Sequence, residues 1–196
     1  MSLHRKVATA FLLLGLGAAG GCTTPPTQND YPPIAFDDRP PLRLDVAEVV
    51  MEEAYLPPNE PPNVEHLFPE TPADAALRWA GDRLVAEGTS RRAIFIVKDA
   101  SVVEEDLETS EGLSGILTVD QSQRYTSNLE VELQIYDGTY LKGSAKAHAK
   151  RSVTVPEDLT LQEREAIWYQ LTKDTMTDLD RELERVIQST FAAYLL

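Results

Sequence analysis

Between Leu42 and Val46 apolar residues take every second position, Leu42, Leu44 and Val46, and this period of two predicts a first strand that runs on toward Tyr55 with a change of face near Ala47. The next segment, Leu56 to Asn63, holds four prolines, which remove donors that a sheet interior needs, so it reads as a stiff exposed connection. At Thr71 the period changes. Thr71 is a capping residue, Pro72 suits the first helical position, and Asp74 favours the positive end of the helix dipole. Ala73, Ala76, Leu77, Ala80 and Leu84 then recur at helical spacing, and with Gly88 as a stop the pattern predicts a helix over 72–87. The run AIFIV, Ala93 to Val97, is apolar on both faces and β-rich, as expected of a central strand or one covered on both sides, with room to continue through Val103.

The clearest alternation surrounds a turn. Tyr125, Leu129, Val131, Leu133 and Ile135 precede it, and Leu141, Gly143, Ala145, Ala147, Ala149, Val153 and Val155 follow it; both apolar sets are odd-numbered. A two-residue Asp137-Gly138 loop sets odd residues opposite even ones, whereas a three-residue Tyr136-Asp137-Gly138 loop with Gly138 left-handed keeps the faces matched and pairs Glu132 with Lys142. The inward row from Gly143 to Ala149 is small, which lets a helix approach the sheet closely. Thr160 to Glu163 forms a capping box, and Ile167, Trp168, Leu171, Leu179, Leu183, Val186, Ile187 and Tyr194 mark the buried stripe of a helix running nearly to the last residue, with a polar, threonine-rich stretch at 172–178 that invites a bend. The order is β-α-β-β-β-α. It predicts an α+β fold, a four-stranded mostly antiparallel sheet with two helices packed on one face.

The N-terminal residues follow a different logic. Arg5 and Lys6 precede a short apolar core, Val7 to Ala19, closed by the small residues Ala18 to Gly21, so residues 1–21 read as a signal peptide. That core of 13 residues falls short of the roughly 20 that span a bilayer as a helix. Cys22, the only cysteine, comes next, so no internal disulfide can form. From Thr23 to Pro41 there are six prolines in three pairs. As polyproline II, at about 3.1 Å per residue, this stretch reaches roughly 60 Å; a plain unstructured spacer fits the same composition. Residues 22–41 are thus read as a linker, with Tyr31, Ile34 and Phe36 able to dock locally, and 42–196 as a single domain. Removing Arg5 and Lys6 from the 18 basic residues leaves 16 against 32 acidic ones, a formal charge of −16 that repels phosphate backbones and sets nucleic acid aside as a partner.

Ala19-Gly20-Gly21-Cys22 resembles the lipobox of bacterial lipoproteins, with Ala19 where that motif usually carries leucine. The resemblance implies cleavage before Cys22 and diacylation of its sulfur. Because Thr23, not aspartate, follows, it also implies an outer-membrane location facing the periplasm. Two or three acyl chains, at about 0.8 kcal/mol per buried methylene, hold a protein on a membrane where a single chain does not. No cofactor beyond this covalent lipid is expected. The element order is similar to that of several small outer-membrane lipoproteins, including the lipopolysaccharide-assembly lipoprotein and auxiliary lipoproteins of lipid transporters, which implies a partner in an envelope assembly or transport machine. No binding residue carries over from those families.

Candidate chemistry is sparse. His66 and His148 are the only histidines after the signal peptide, and the chain has no G-x-S-x-G, phosphate loop or H-E-x-x-H, so no catalytic residue and no metal-ligand set is assigned and an enzyme is not expected. Five acidic residues between Glu104 and Glu111 lack the alternating ligand spacing of a calcium loop. Between Arg124 and Arg151, five basic residues face three acidic ones, a local excess of +2. Within it Lys142, Lys146, His148 and Lys150 share one face of one strand. They are the candidate binding residues for an envelope protein or an anionic lipid, against the plainer reading of a solvated face with weak cross-strand ion pairs. Three roles stay open: a non-enzymatic adaptor, a small lipid carrier with a groove lined by Gly143 to Ala149, and a passive spacer.

Overall fold

A computed structural model describes residues 30–107, 121–156 and 158–196. Along the chain come β1 (Leu42–Leu44), β2 (Glu48–Glu53), α1 (Pro72–Arg83), β3 (Leu84–Ala86), β4 (Arg92–Asp99), β5 (Val102–Asp106), β6 (Gln121–Asp137), β7 (Tyr140–Pro156) and α2 (Leu161–Thr190). Among the described residues there are therefore seven strands in two sheets, which corrects the expected four-stranded β-α-β-β-β-α arrangement. β1 and β3 form a parallel pair of their own. In the larger sheet β2 runs parallel to β4, while β4, β5 and β7 are all antiparallel to β6; β4 and β5 lie end to end against one edge of β6 and β7 follows its other edge.

The departures have local causes. The first strand is two, because the chain bends at Asp45–Ala47, where Val46 N donates to Leu44 O (2.8 Å) and Gly88 N donates to Val46 O (2.9 Å). A Cβ on Gly88 would lie 2.6 Å from the Val46 amide, so only glycine permits this approach. α1 stops at Arg83 rather than Glu87 because Leu84–Ala86 turns into β3 beside β1, supplying backbone partners to a segment whose Leu42 and Leu44 are buried. Between β4 and β5 the register shifts at Val97/Asp99, and Ser101 N donates to Asp99 Oδ1 (2.9 Å).

The hairpin also differs from expectation. Asp137 pairs with Tyr140, so the loop is Gly138-Thr139 with Gly138 at φ 59°, and the partners then slip from Tyr136–Leu141 to Ile135–Gly143. Lys142 is the extra residue of this bulge. A two-residue loop reverses the parity of the facing strands, and the bulge reverses it back, so the odd-numbered rows still share the core but Glu132 lies opposite Lys146, not Lys142.

Both helices pack on the odd-numbered face. Trp79 of α1 meets Phe95 of β4 with ring centroids 5.7 Å apart, and Met176, Leu179 and Leu183 of α2 join Leu129, Leu133, Ala145 and Ala147 in one core. The threonine-rich stretch does not break α2. Thr175 Oγ1 donates to Leu171 O (2.8 Å) and Thr172 Oγ1 to Glu70 O (3.1 Å), so two buried hydroxyls are satisfied within an unbroken helix. Residues 31–40 form a strap along α2: the Tyr31 ring lies tilted against Tyr169 with centroids 5.0 Å apart, Ile34 and Phe36 are buried, and Arg39 reaches Asp180 and Glu184. Cys22 and residues 1–21 lie outside the described residues.

Candidate functional site

β7 alternates strictly through its middle. Ala145, Ala147 and Ala149 are buried under α2, which directs Lys146, His148 and Lys150 to the opposite, helix-free face, where all three are exposed. None of the three side chains forms a hydrogen bond or ion pair with another described residue. The carboxylate opposite Lys146 is already occupied: Glu132, 7 % exposed, accepts from Ser144 Oγ (2.5 Å) and Gln134 Nε2 (2.8 Å). The Ser144 bond, then the Gln134 bond, hold its carboxyl below the ordinary range, and Lys146 adds to this from a distance. Lys142 stands apart at the bulge, with Nζ 3.7 Å from Asp137 Oδ2.

The same face continues onto β4, where Ile94 is half-buried and Ile96 is 8 % exposed, with no helix above them among the described residues. The sequence reading has AIFIV apolar on both sides and both helices on one face; what it lacks is the strand order, which sets Ile94 and Ile96 two strands away from β7. The result is a helix-free face with an apolar centre and a cationic margin along β7. Among the described residues that margin is also a sheet edge, since β7 pairs only with β6, just as β2 pairs only with β4 at the far side. The outer side of β5, by contrast, is occupied: Glu104 N donates to Pro62 O and Val64 N to Val102 O, both at 2.9 Å.

Other polar clusters serve the fold. Between the helices, Asp180 accepts from Trp79 Nε1 (2.7 Å) and pairs with Arg83 (3.4 Å), whose guanidinium also reaches Glu184 (3.2 Å) and the carbonyl of Pro40. Glu65, buried, accepts from Tyr55 Oη (2.7 Å) and Val102 N (3.1 Å), and burial followed by this carboxylate raises the Tyr55 phenol. Burial and the nearby Glu104 push Tyr125 up to about 12. His66 is exposed beside a hollow of about 200 Å³, and among the described residues no group of three His, Cys, Asp or Glu side chains is placed to hold a metal ion. The small row proposed as a ligand groove is filled: α2 covers Ala145 to Ala149, and a Cβ on Gly143 would lie 2.9 Å from Phe191 Cε1.

No protein family matches the sequence, and no curated protein does. Three solved structures are similar to it. Rare lipoprotein B of Shewanella oneidensis is 9 % identical over 72 % of this chain and 95 % of its own, with a TM-score of 0.37. A Xanthomonas campestris protein of the family DUF330 is 10 % identical over 80 % of this chain and 94 % of its own (TM-score 0.36), and a minor lipoprotein of Acinetobacter baumannii is 14 % identical over 72 % and 93 % (TM-score 0.36). Similarity at this level transfers no site or activity to the present chain.

Proposed function

We propose that this chain is a lipid-anchored protein of the bacterial outer membrane, held through Cys22 and facing the periplasm, whose domain is a non-enzymatic accessory of an envelope assembly or transport machine. It docks a protein partner through the helix-free face along β7. The observation that carries this reading is the placement of Lys146, His148 and Lys150, whose side chains make no hydrogen bond or ion pair among the described residues, along one exposed sheet margin in a chain of net charge −14. An acidic chain repels an acidic partner over most of its surface, and a basic margin is where such a partner is met. The anchor rests on the sequence: charged start, apolar core, small residues and a single cysteine coincide at Cys22.

Two measurements test it. The intact mass of protein extracted from membranes is expected to lack residues 1–21 and to carry lipid on Cys22, and Cys22→Ser is expected to release the domain from the membrane; an unmodified Cys22 refutes the anchor. Crosslinking in intact envelopes with a Lys146→Glu/Lys150→Glu chain is expected to lose the protein adduct of the wild type while the circular dichroism is unchanged; an adduct of undiminished yield refutes the docking face.

A further inference from the structure

The two free edges of the larger sheet carry opposite charges. β2 reads Glu48-Val49-Val50-Met51-Glu52-Glu53, with Glu48, Met51, Glu52 and Glu53 exposed, and nothing among the described residues pairs with its outer side. β7 carries Lys146 and Lys150, both exposed, along its own outer edge, and the exposed Arg151, which is paired with Asp178 of α2 (2.5 Å). Exposed edges are templates for another strand, and a 17-residue edge is a long one.

Direction and face both permit these edges to meet. β2 is parallel to β4, and β4 and β7 are both antiparallel to β6, so β2 and β7 run the same way. In a sheet continued from one molecule to the next, β7 of one copy therefore meets β2 of another as a parallel pair. To keep the helix-free faces continuous, even residues must lie beside even residues, because Val50 neighbours Ile94 on that face just as Lys146 lies beside Glu132. Of the registers this allows, one sets Glu48 beside Lys146, Glu52 beside Lys150 and Glu53 beside Arg151. Shifting it by two residues in one direction puts Glu48 beside Ser144, and in the other puts Glu52 beside Ser152.

We propose that the occupant of the β7 edge is β2 of a second copy of this chain, joined head to tail in that register. This rests on the reading of β7 as a docking margin and names its partner. A head-to-tail contact uses two different patches, so it closes into a ring or extends as a row, and each copy keeps the same direction along its strands. The strap end at Tyr31 then leaves every copy at the same end, which suits anchors in a single membrane surface.

The test uses the full chain extracted in mild detergent. Native mass spectrometry is expected to show multiples of the chain mass that dissociate as salt rises. Lys146→Glu/Lys150→Glu is expected to weaken association about ten-fold or more, and adding Glu48→Lys/Glu52→Lys to the same chain to restore it. Copies bearing Val50→Cys mixed with copies bearing His148→Cys are expected to crosslink on oxidation, since these positions are neighbours in the proposed register. A monomer at every concentration, or multimers indifferent to both reversals, overturns the inference. If the monomeric chain still crosslinks a different protein through Lys146 and Lys150, self-assembly is refuted and the docking reading stands; if the reversals also leave that adduct unchanged, both fall.

Discussion

Gly143 and Glu132 show what single residues hold in place. A Cβ at Gly143 would press on Phe191, whose ring is itself set edge-on to Tyr194 at 6.2 Å, so the ring cannot simply swing away. Gly143→Ala is expected to cost about 1–3 kcal/mol in urea unfolding, as overpacked sites do. Phe191→Leu in the same chain should recover part of that cost; strictly additive losses would show that the ring is not the obstacle. Glu132 makes a second prediction, in pH. Its folded carboxyl titrates below the ordinary 4.5 because Ser144 and Gln134 donate to the charged form. Its contribution is therefore fully present above 4.5 and is lost as pH falls through the folded value. Glu132→Gln should flatten the acid side of the stability profile, and an NMR titration placing Glu132 at or above 4.5 would contradict the geometry.

Among elements, the contact of α1, α2 and the strap depends on one carboxylate. Arg83 is 1 % exposed and shares Asp180 with Trp79 and Arg39. Asp180→Ala leaves the buried guanidinium with Glu184 and the Pro40 carbonyl but removes the acceptor of Trp79 Nε1, and the expected loss is about 1–3 kcal/mol. Arg39, more than a third exposed, contributes at most about 1 kcal/mol; its removal should instead expose residues 31–40 to limited proteolysis while the melting temperature barely moves. Unchanged cleavage would mean that Tyr31, Ile34 and Phe36 hold the strap without Arg39. The strap was readable in advance only as three apolar side chains in a proline-rich stretch. Caps at Thr71 and Thr160 and the alternation of β6 and β7 were legible because they are local. The three-residue strands β1 and β3 were not, since no period can be read over three residues and each exists only because the other lies beside it. The bulge at Lys142 was hidden for a related reason: it preserves the alternation from which register is inferred. The candidate site divides the same way. Lys146, His148 and Lys150 follow from alternation, whereas the edge positions of β7 and of the acidic β2 follow only from the strand order.

At the scale of the whole molecule the strap sets an orientation. Tyr31 contacts Gln162 and Tyr169 near the start of α2, while the end of α2 brings Phe191 against Gly143 beside the hairpin turn. The 30 residues of α2 thus separate the point where the linker leaves the domain from the turn, about 45 Å at 1.5 Å per residue. Only eight residues lie between Cys22 and Tyr31, about 30 Å if extended as polyproline II. That span is shorter than the domain, so an anchor at Cys22 holds the start of α2 near the bilayer and leaves the hairpin turn far from it. Leu161 and Tyr140, 66 % and 75 % exposed, are suited to labelling at the two ends. A fluorophore at 161 in the membrane-bound protein should be quenched by headgroup-attached acceptors, and one at 140 should be beyond their reach. Equal quenching would mean that the domain lies flat or that the strap detaches. In a row or ring joined through β2 and β7, every copy presents Tyr140 and the exposed Leu141 at the same distance from the membrane. The pattern should therefore survive the Lys146→Glu/Lys150→Glu change that separates the copies, because each strap orients its own domain.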